Sequence, residues 1–311
     1  MKILHIARTV TAYAPARFVH LINKYTQHEA KLCQIKDFFL GNPHNVQLIK
    51  GAVALDEALE WADVLHFHGT HFYERRVCKC GPGKGRVRIK KYLKKPHCLH
   101  YHGSPHREYP NRYMIGSCKI LLSTPEMLSI FKPLRMVYFP NLIDETSEIY
   151  KKREIKHAGN PSICHHYSMH KSKKDTNIYE KTSNYFANNG QELNCKMLPV
   201  MKLQDALIER ATHDIVFDHL QGYYGLISIE GMAQGLCVVN GASLDTMRSL
   251  SAFFGAEPPF MITNKNKIIN DLKALTIEQI NEYGQKGIDF MKTYWSGAKN
   301  IHRLIDFYGT L

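Results

Sequence analysis

Nine short apolar runs, each four to eight residues long, recur along the chain with helix-length stretches between most of them. In order they are KILHIA (2–7), DVLHFHG (63–69), HCLHYHG (97–103), KILLST (119–124), MVYFP (136–140), PSICHHYS (161–168), DIVFDH (214–219), LCVVNG (236–241) and FMIT (260–263). Runs of this kind read as strands buried on both faces, and their alternation with helices predicts parallel α/β sheets covered by helices. A chain of 311 residues has room for two such domains.

The charged stretch Asp144 to Pro161, DETSEIYKKREIKHAGNP, is poor in apolar residues and ends in Gly and Pro, as a linker would. The sequence thus predicts an N-terminal domain over 1–145, a linker over 146–160 and a C-terminal domain over 161–290. A C-terminal helix over 291–311 is expected to pack back on the N-terminal domain. Thr276 and Gln279 have capping-box spacing at the start of one late helix. Ile301, Leu304, Ile305 and Phe307 fall near helical spacing in the last one. Two α/β halves facing a central cleft would place the C-terminal ends of both sets of strands around one ligand site.

Composition narrows the partners. Hydrophobic residues make up 44% and charged residues 22%, values of a globular protein. No apolar run approaches the ~20 residues of a membrane span. The first residues, MKILHIARTV, lack the apolar block of a signal peptide, and the eight scattered cysteines read as reduced thiols, so a cytoplasmic location is expected. The CKC pair at Cys78 and Cys80 lacks zinc-knuckle spacing, and the 18 histidines include no HExxH, so no metal or other cofactor is expected. A net charge of +13 calls for an acidic partner. Ten of the 21 residues from Arg75 to Lys95 are Lys or Arg and none is acidic. This stretch, with Arg86, Arg88, Lys90 and Lys91, suits an anionic membrane surface or an acidic acceptor, or is simply a solvated basic loop. GPGKGR at 81–86 lacks P-loop spacing.

The segment FDHLQGYYGLISIEGMAQGLCVVNG, Phe217 to Gly241, is the most informative. It reads as a strand end, a glycine-bearing loop, a two-turn helix closed by Gly235, and a returning strand. Gly222 and Gly225 allow a ligand to approach the backbone. The amides of Leu226 and Ile227 at the helix start suit a diphosphate. Glu230, one turn on, fits a hydroxyl clamp and equally fits a stabiliser of the helix.

GYYGLISIEGMAQGLCVV resembles the signature of the retaining, GT-B-fold glycosyltransferases of the glycosyltransferase-4, or "glycosyl transferases group 1", type. Tyr224, Gly225, Glu230, Met232, Ala233, Gly235, Val238 and Val239 match that signature. The first Glu of the family's acidic pair is replaced by Gly222 and its Pro by Cys237; Asp218 is a substitute carboxylate. The resemblance implies a GT-B protein with two Rossmann-like domains. It further implies transfer of a sugar from a nucleotide-sugar donor to a hydroxyl of a glycan or lipid-linked acceptor, with retention, in polysaccharide biosynthesis. His102 and Glu230 are the implied catalytic-site residues. Lys171 and Lys174 (Lys173 is a rival to either) would neutralise the diphosphate, with Asp218, Gly222, Tyr224, Gly225, Leu226 and Ile227 on the donor side. Arg8, Thr9, Tyr13 and His68 would lie on the acceptor side. No DxD triplet occurs, in keeping with a metal-independent site. A peripheral contact with the inner membrane face would follow from the basic stretch. The rivals are a basic nucleic-acid-binding protein, for which no recognition motif is present, and a GT-B-like nucleotide-sugar binder that does not transfer.

Overall fold

The computed structural model describes residues 1–7, 13–34, 46, 48–49, 52–69, 78–79, 86–87, 89–103, 118–130, 135–151, 160–167, 174–190 and 193–311. Arg8, Thr9, Lys171, Lys173, Cys80, Arg88 and parts of the basic and linker stretches lie outside this set.

The chain divides into two compact units, Met1–Asp144 with Gly297–Leu311, and Glu145–Ser296. In the first unit, strands β1 (Lys2–Ala7), β2 (Glu29–Gln34), β3 (Leu48–Ile49), β4 (Val64–His68), β7 (His97–Tyr101), β8 (Lys119–Leu122) and β9 (Met136–Tyr138) form a sheet in the order β3-β2-β1-β4-β7-β8-β9. Every described pairing in it is parallel. β5 (Cys78–Lys79) and β6 (Arg86–Val87) make a separate antiparallel pair. The helices are α1 (Ala14–Tyr25), α2 (Ala52–Trp61), the single turn α3 (Met127–Ile130) and, from the far end of the chain, α10 (Gly297–Tyr308).

The second unit carries a parallel sheet in the order β11-β10-β12-β13-β14, from β10 (Ser162–His166), β11 (Asn194–Leu198), β12 (Ile215–Phe217), β13 (Cys237–Asn240) and β14 (Met261–Ile262). Its helices are α4 (Thr176–Asn188), α5 (Leu203–Arg210), α6 (Leu226–Ala233), α7 (Leu244–Phe254), α8 (Ile268–Ala274) and α9 (Ile277–Thr293).

All nine apolar runs become strands. β2 (EAKLCQ) and β11 (NCKML) escaped the sequence reading because polar residues interrupt them. β11 is an edge strand with two exposed residues, so it needs no continuous apolar run.

Local chemistry fixes several ends. Thr276 and Gln279 form a reciprocal capping box on α9. Ser243 caps α7 by accepting from the Thr246 amide. In the first unit, buried Asp144 accepts from His20 Nε2 at 2.8 Å, Lys24 Nζ at 2.7 Å and the Tyr25 hydroxyl at 2.8 Å, which ties α1 to the end of the sheet segment. That hydrogen bond to Asp144 raises the Lys24 pKa.

In the second unit, α9 packs through Gly284 on Gly235, which follows the end of α6. A Cβ on Gly284 would stand 2.2 Å from the Gly235 carbonyl oxygen, and Gly235 itself is left-handed at φ 71°. The contact is backbone on backbone and cannot yield by rotating a side chain. Gly284→Ala should therefore cost about 1–3 kcal/mol through overpacking, read as a lowered midpoint in urea unfolding of this unit. An unchanged midpoint would show that the two helices separate without penalty.

Candidate functional site

In the second unit, β12 ends at Phe217 and the chain turns through Asp218–Gly225 into α6. Gly222 takes a left-handed φ of 86° and bridges to Ala242, donating its amide to the Gly241 carbonyl at 3.1 Å. Its own carbonyl accepts from the Ser243 amide at 2.9 Å and the Thr246 hydroxyl at 2.7 Å. Tyr224 is buried edge-on against Trp295.

Asp218 is fully buried and caps α6 from outside the helix. Its Oδ2 accepts from the Gly225 amide at 2.6 Å and from the Ser228 hydroxyl at 2.7 Å. Gly225 must be glycine, because a Cβ there would lie 2.7 Å from Asp218 Oδ1. Burial alone would raise the Asp218 pKa. Neighbouring His219 and Lys174, with the bonds from Ser228 and Gly225, outweigh it and hold the carboxyl below its ordinary range. The positive end of α6 thus already faces one internal anion.

Glu230 is 3% exposed, and its Oε2 pairs with Arg210 Nη2 at 2.8 Å. Arg210, on α5, also donates Nε–H to Gln234 Oε1 at 2.7 Å, and Gln234 donates to the Leu207 carbonyl. The carboxylate inside an apolar turn is therefore one half of a buried ion pair joining α5 to α6. Sequence reading missed Arg210 and Gln234. Their only signal is an arginine closing an otherwise amphipathic helix.

Lys174, half-buried, precedes Asp175, which starts α4 in a left-handed conformation (φ 51°). Asp175 accepts from the Leu220 amide at 2.7 Å and lies 3.3 Å from Lys265 Nζ. His165 donates through Nδ1 to the Phe217 carbonyl, so its Nε2 accepts from the Thr176 hydroxyl. Lys174, Gln221, Gly222, Tyr223, Gly225, Leu226 and Ile227 are all partly exposed at this end of the sheet. The first-turn amides of Leu226 and Ile227 have no acceptor within the helix.

In the first unit, the repeated LHxH pattern turns into a layer of imidazoles. The register pairs His5 with His66 and His68 with His100, so alternate residues of β1, β4 and β7 share one face. Phe18 of α1 covers them, and the Tyr308 hydroxyl of α10 lies 2.6 Å from His66 Nδ1. Burial first, and for His66, His68 and His100 mutual repulsion second, depresses the pKa of His5 (to about 3), His66, His68 and His100. The rings are neutral.

A single proton order then follows. The Ser123 hydroxyl donates to the Tyr101 carbonyl at 2.8 Å, so it accepts from His102 Nδ1 at 2.6 Å. Asn141 Oδ1, at 3.1 Å, shares that proton. His102 Nε2 must accept from His68 Nδ1 (2.7 Å), and His68 Nε2 from His5 Nδ1 (2.9 Å). His100 is fully buried and His102 partly exposed, the contrast expected of mid-strand and strand-end positions. His68 is buried between His5 and His102. Tyr13, 8% exposed, sits in a left-handed conformation with Arg17 over its ring.

No protein-family profile and no curated protein sequence matches the chain. Solved structures do. HepE of Anabaena, crystallised with UDP and glucose, superposes with a TM-score of 0.63 at 12% identity over 100% of both chains. An α-glucosyltransferase in complex with UDP and a 13-mer DNA gives 0.67 at 10% identity, over 99% of this chain and 98% of that one. Sucrose-phosphate synthase of Thermosynechococcus elongatus gives 0.66 at 7% identity, over 100% and 99%. The fold of the chain is therefore GT-B. Among the described residues no helix is long and apolar enough to cross a membrane.

Two stability effects follow from this geometry. Arg210→Met strands a buried carboxylate and should cost about 3–5 kcal/mol, most of it recovered when Glu230→Met is added. Urea unfolding of the single and double variants checks this; equal loss in both would show that the pair is not coupled. His166, at the end of β10, has its Nε2 sealed from solvent, and burial pushes its pKa down to about 3. Because the folded value lies below the unfolded one, its stabilisation is complete above pH 6.5 and is lost as pH falls toward 3. Each pH unit in that window costs about 1.4 kcal/mol for such a group. His166→Gln should flatten the fall of the unfolding midpoint between pH 6.5 and 4.5; a slope identical to wild type would mean that the ring titrates normally.

Proposed function

We propose that the chain is a retaining glycosyltransferase of the glycosyltransferase-4 type that moves a sugar from a nucleotide donor, first of all a uridine diphosphate sugar, to a hydroxyl acceptor. The observation that carries this reading is the position of the matched signature. Tyr224 and Gly225 stand in the loop at the C-terminal end of β12, where open α/β sheets bind ligands, and Glu230 stands on the helix that this loop opens; Gly235 closes that helix ahead of β13. The likeness to HepE and to the α-glucosyltransferase, both crystallised with UDP, supports the choice of donor base.

In this reading the second unit holds the donor. Asp218 already offsets part of the α6 dipole, so the added charge of a diphosphate falls to lysines. Lys174 and Lys171 are the proposed pair, with the Leu226 and Ile227 amides contributing hydrogen bonds. Stabilising the departing diphosphate lowers the barrier without a dedicated metal at that position. Glu230, its carboxylate oriented by Arg210, is the proposed acceptor of donor hydroxyls, and Gly222 leaves room where the family has a second carboxylate. The donor phosphate itself takes the proton of the incoming hydroxyl on the face it leaves, which gives retention. His102 is the proposed sugar contact from the first unit, with Arg8, Thr9, Tyr13 and His68 toward a glycan or lipid-linked acceptor. The basic stretch through Arg86 and Lys90 is the proposed contact with an anionic membrane face.

Calorimetric titration of the full chain in EDTA with UDP, GDP, ADP and CMP tests the donor half. UDP should bind, and Lys174→Ala should weaken it about 10- to 100-fold, the value of a charge-assisted contact of ~1.5–3 kcal/mol, while uridine affinity stays unchanged. A folded chain that binds none of the four contradicts the reading. UDP binding with no sugar released or transferred from UDP-sugars would leave a binder that does not transfer.

A further inference from the structure

The imidazole layer of the first unit contains more than packing requires. One ring nitrogen from each of His68, His100 and His102 falls within 4.8 Å of the others. His68 Nδ1 and His102 Nε2 are 2.7 Å apart. His100 Nδ1 is sealed from solvent and makes no hydrogen bond of good geometry, although the ring also meets the backbone of Phe139. We propose that His68, His100 and His102 form a binding site for one divalent late first-row transition-metal ion of the zinc class.

The second nitrogens of these rings are placed as they are around bound metals, where each ligating imidazole is oriented by a partner on its far side. His102 Nδ1 points to Ser123 Oγ (2.6 Å) and Asn141 Oδ1 (3.1 Å). His68 Nε2 meets His5 Nδ1 at 2.9 Å, and His100 Nε2 stands 3.5 Å from Ser123 Oγ. Neutral imidazole is the ligating form, and burial keeps His68 and His100 neutral.

Tetrahedral coordination at about 2.0–2.1 Å separates ligand nitrogens by about 3.3–3.4 Å. The ion therefore takes the place of the proton between His68 and His102 and widens that contact. Ring protons are conserved in the exchange. His68 passes from the Nδ1–H to the Nε2–H tautomer and donates to His5 Nδ1, and the His5 proton moves to its Nε2, which has no partner now. His102 keeps Nδ1–H and ligates through Nε2; His100 ligates through Nδ1 and carries its proton on Nε2.

A second trio, His5, His66 and His68, also brings its nitrogens within 4.8 Å. It is buried at 0%, 0% and 6% exposure, and His5 and His66 stack against Phe18. A dication with three neutral ligands there would have nothing to reduce its charge. His102 is partly exposed, so water or hydroxide can fill the fourth position of the outer trio. The bound ion would cross-link β4 to the end of β7 and hold the His102 ring. This rests on the first unit alone, not on the donor reading, and with the ion bound His68 and His102 are its ligands in place of the direct sugar and acceptor contacts proposed for them.

The test uses the tag-free full chain, stripped with EDTA, loaded with Zn2+ and gel-filtered before elemental analysis. One zinc per chain should be retained. His100→Ala and His102→Ala should each lose it, and His5→Phe, which removes the support behind His68, should weaken it about 10- to 100-fold. Co2+ should give the visible absorption of a tetrahedral site. Should the alanine variants misfold, histidine 15N NMR of the wild type decides, since Zn2+ must move the His68, His100 and His102 ring signals and switch the His68 tautomer. A folded wild type that retains no zinc overturns the proposal. So does retained zinc that leaves those three rings unmoved, and so does zinc lost in His66→Ala but kept in His100→Ala.

Discussion

Both main sheets are parallel throughout their described pairings, and a parallel sheet is covered on both faces. That constraint governs every polar side chain the strands carry. A buried donor or acceptor without a partner costs about 1–3 kcal/mol, and an unpaired buried charge costs more. The two units meet the constraint differently. The first lays neutral imidazoles side by side, whose two nitrogens can pass hydrogen bonds along one direction from ring to ring, and matches its buried Asp144 to His20, Lys24 and Tyr25. The second accepts ions, but each is matched: Glu230 to Arg210, Asp218 to the start of α6, Asp175 to Lys265 and the Leu220 amide.

Much of the architecture was readable because it depends on properties that travel with local sequence. The apolar runs needed only their composition and spacing, and the α9 capping box only two residues three apart. The helix after Gly225 and its closure at Gly235 were equally local. What was not readable depends on where elements meet. Glu230 looks the same in sequence whether it faces solvent, a sugar or an arginine. Arg210 lies 20 residues away on another helix, and only packing of α5 on α6 brings the two together. β2 and β11 were missed because strand-forming at those places is imposed by a neighbouring strand rather than by their own side chains.

The histidines lie between these cases. Strand periodicity assigns His66 with His68 and His100 with His102 to common faces, and a strand-end position predicts the greater exposure of His102 over His100. Only the register between strands turns that into a chain of contacts. A slip of one residue between β1 and β4 would send His5 to the opposite face, into the apolar cluster of Leu65, Phe67 and Leu99. The imidazole layer therefore also opposes one-residue slips of register, each of which would move rings to the opposite face.

Asp218 carries the same logic to the C-terminal end of β12 in the second unit. A helix start intended for a phosphate is usually left open, with glycine amides and no internal anion. Here the carboxylate takes the Gly225 amide, and Gly225 exists to let it approach. Asp218 thus rigidifies the turn at the cost of part of the helix's attraction for an incoming anion. Lys174 stands one residue before the turn into α4, close enough to help keep Asp218 ionised, and under the proposed donor reading it supplies the compensation. Under the proposed donor reading, a glycine at 222 fits this balance: with Asp218 already present, another negative charge beside it would repel a diphosphate that the helix start can no longer fully attract.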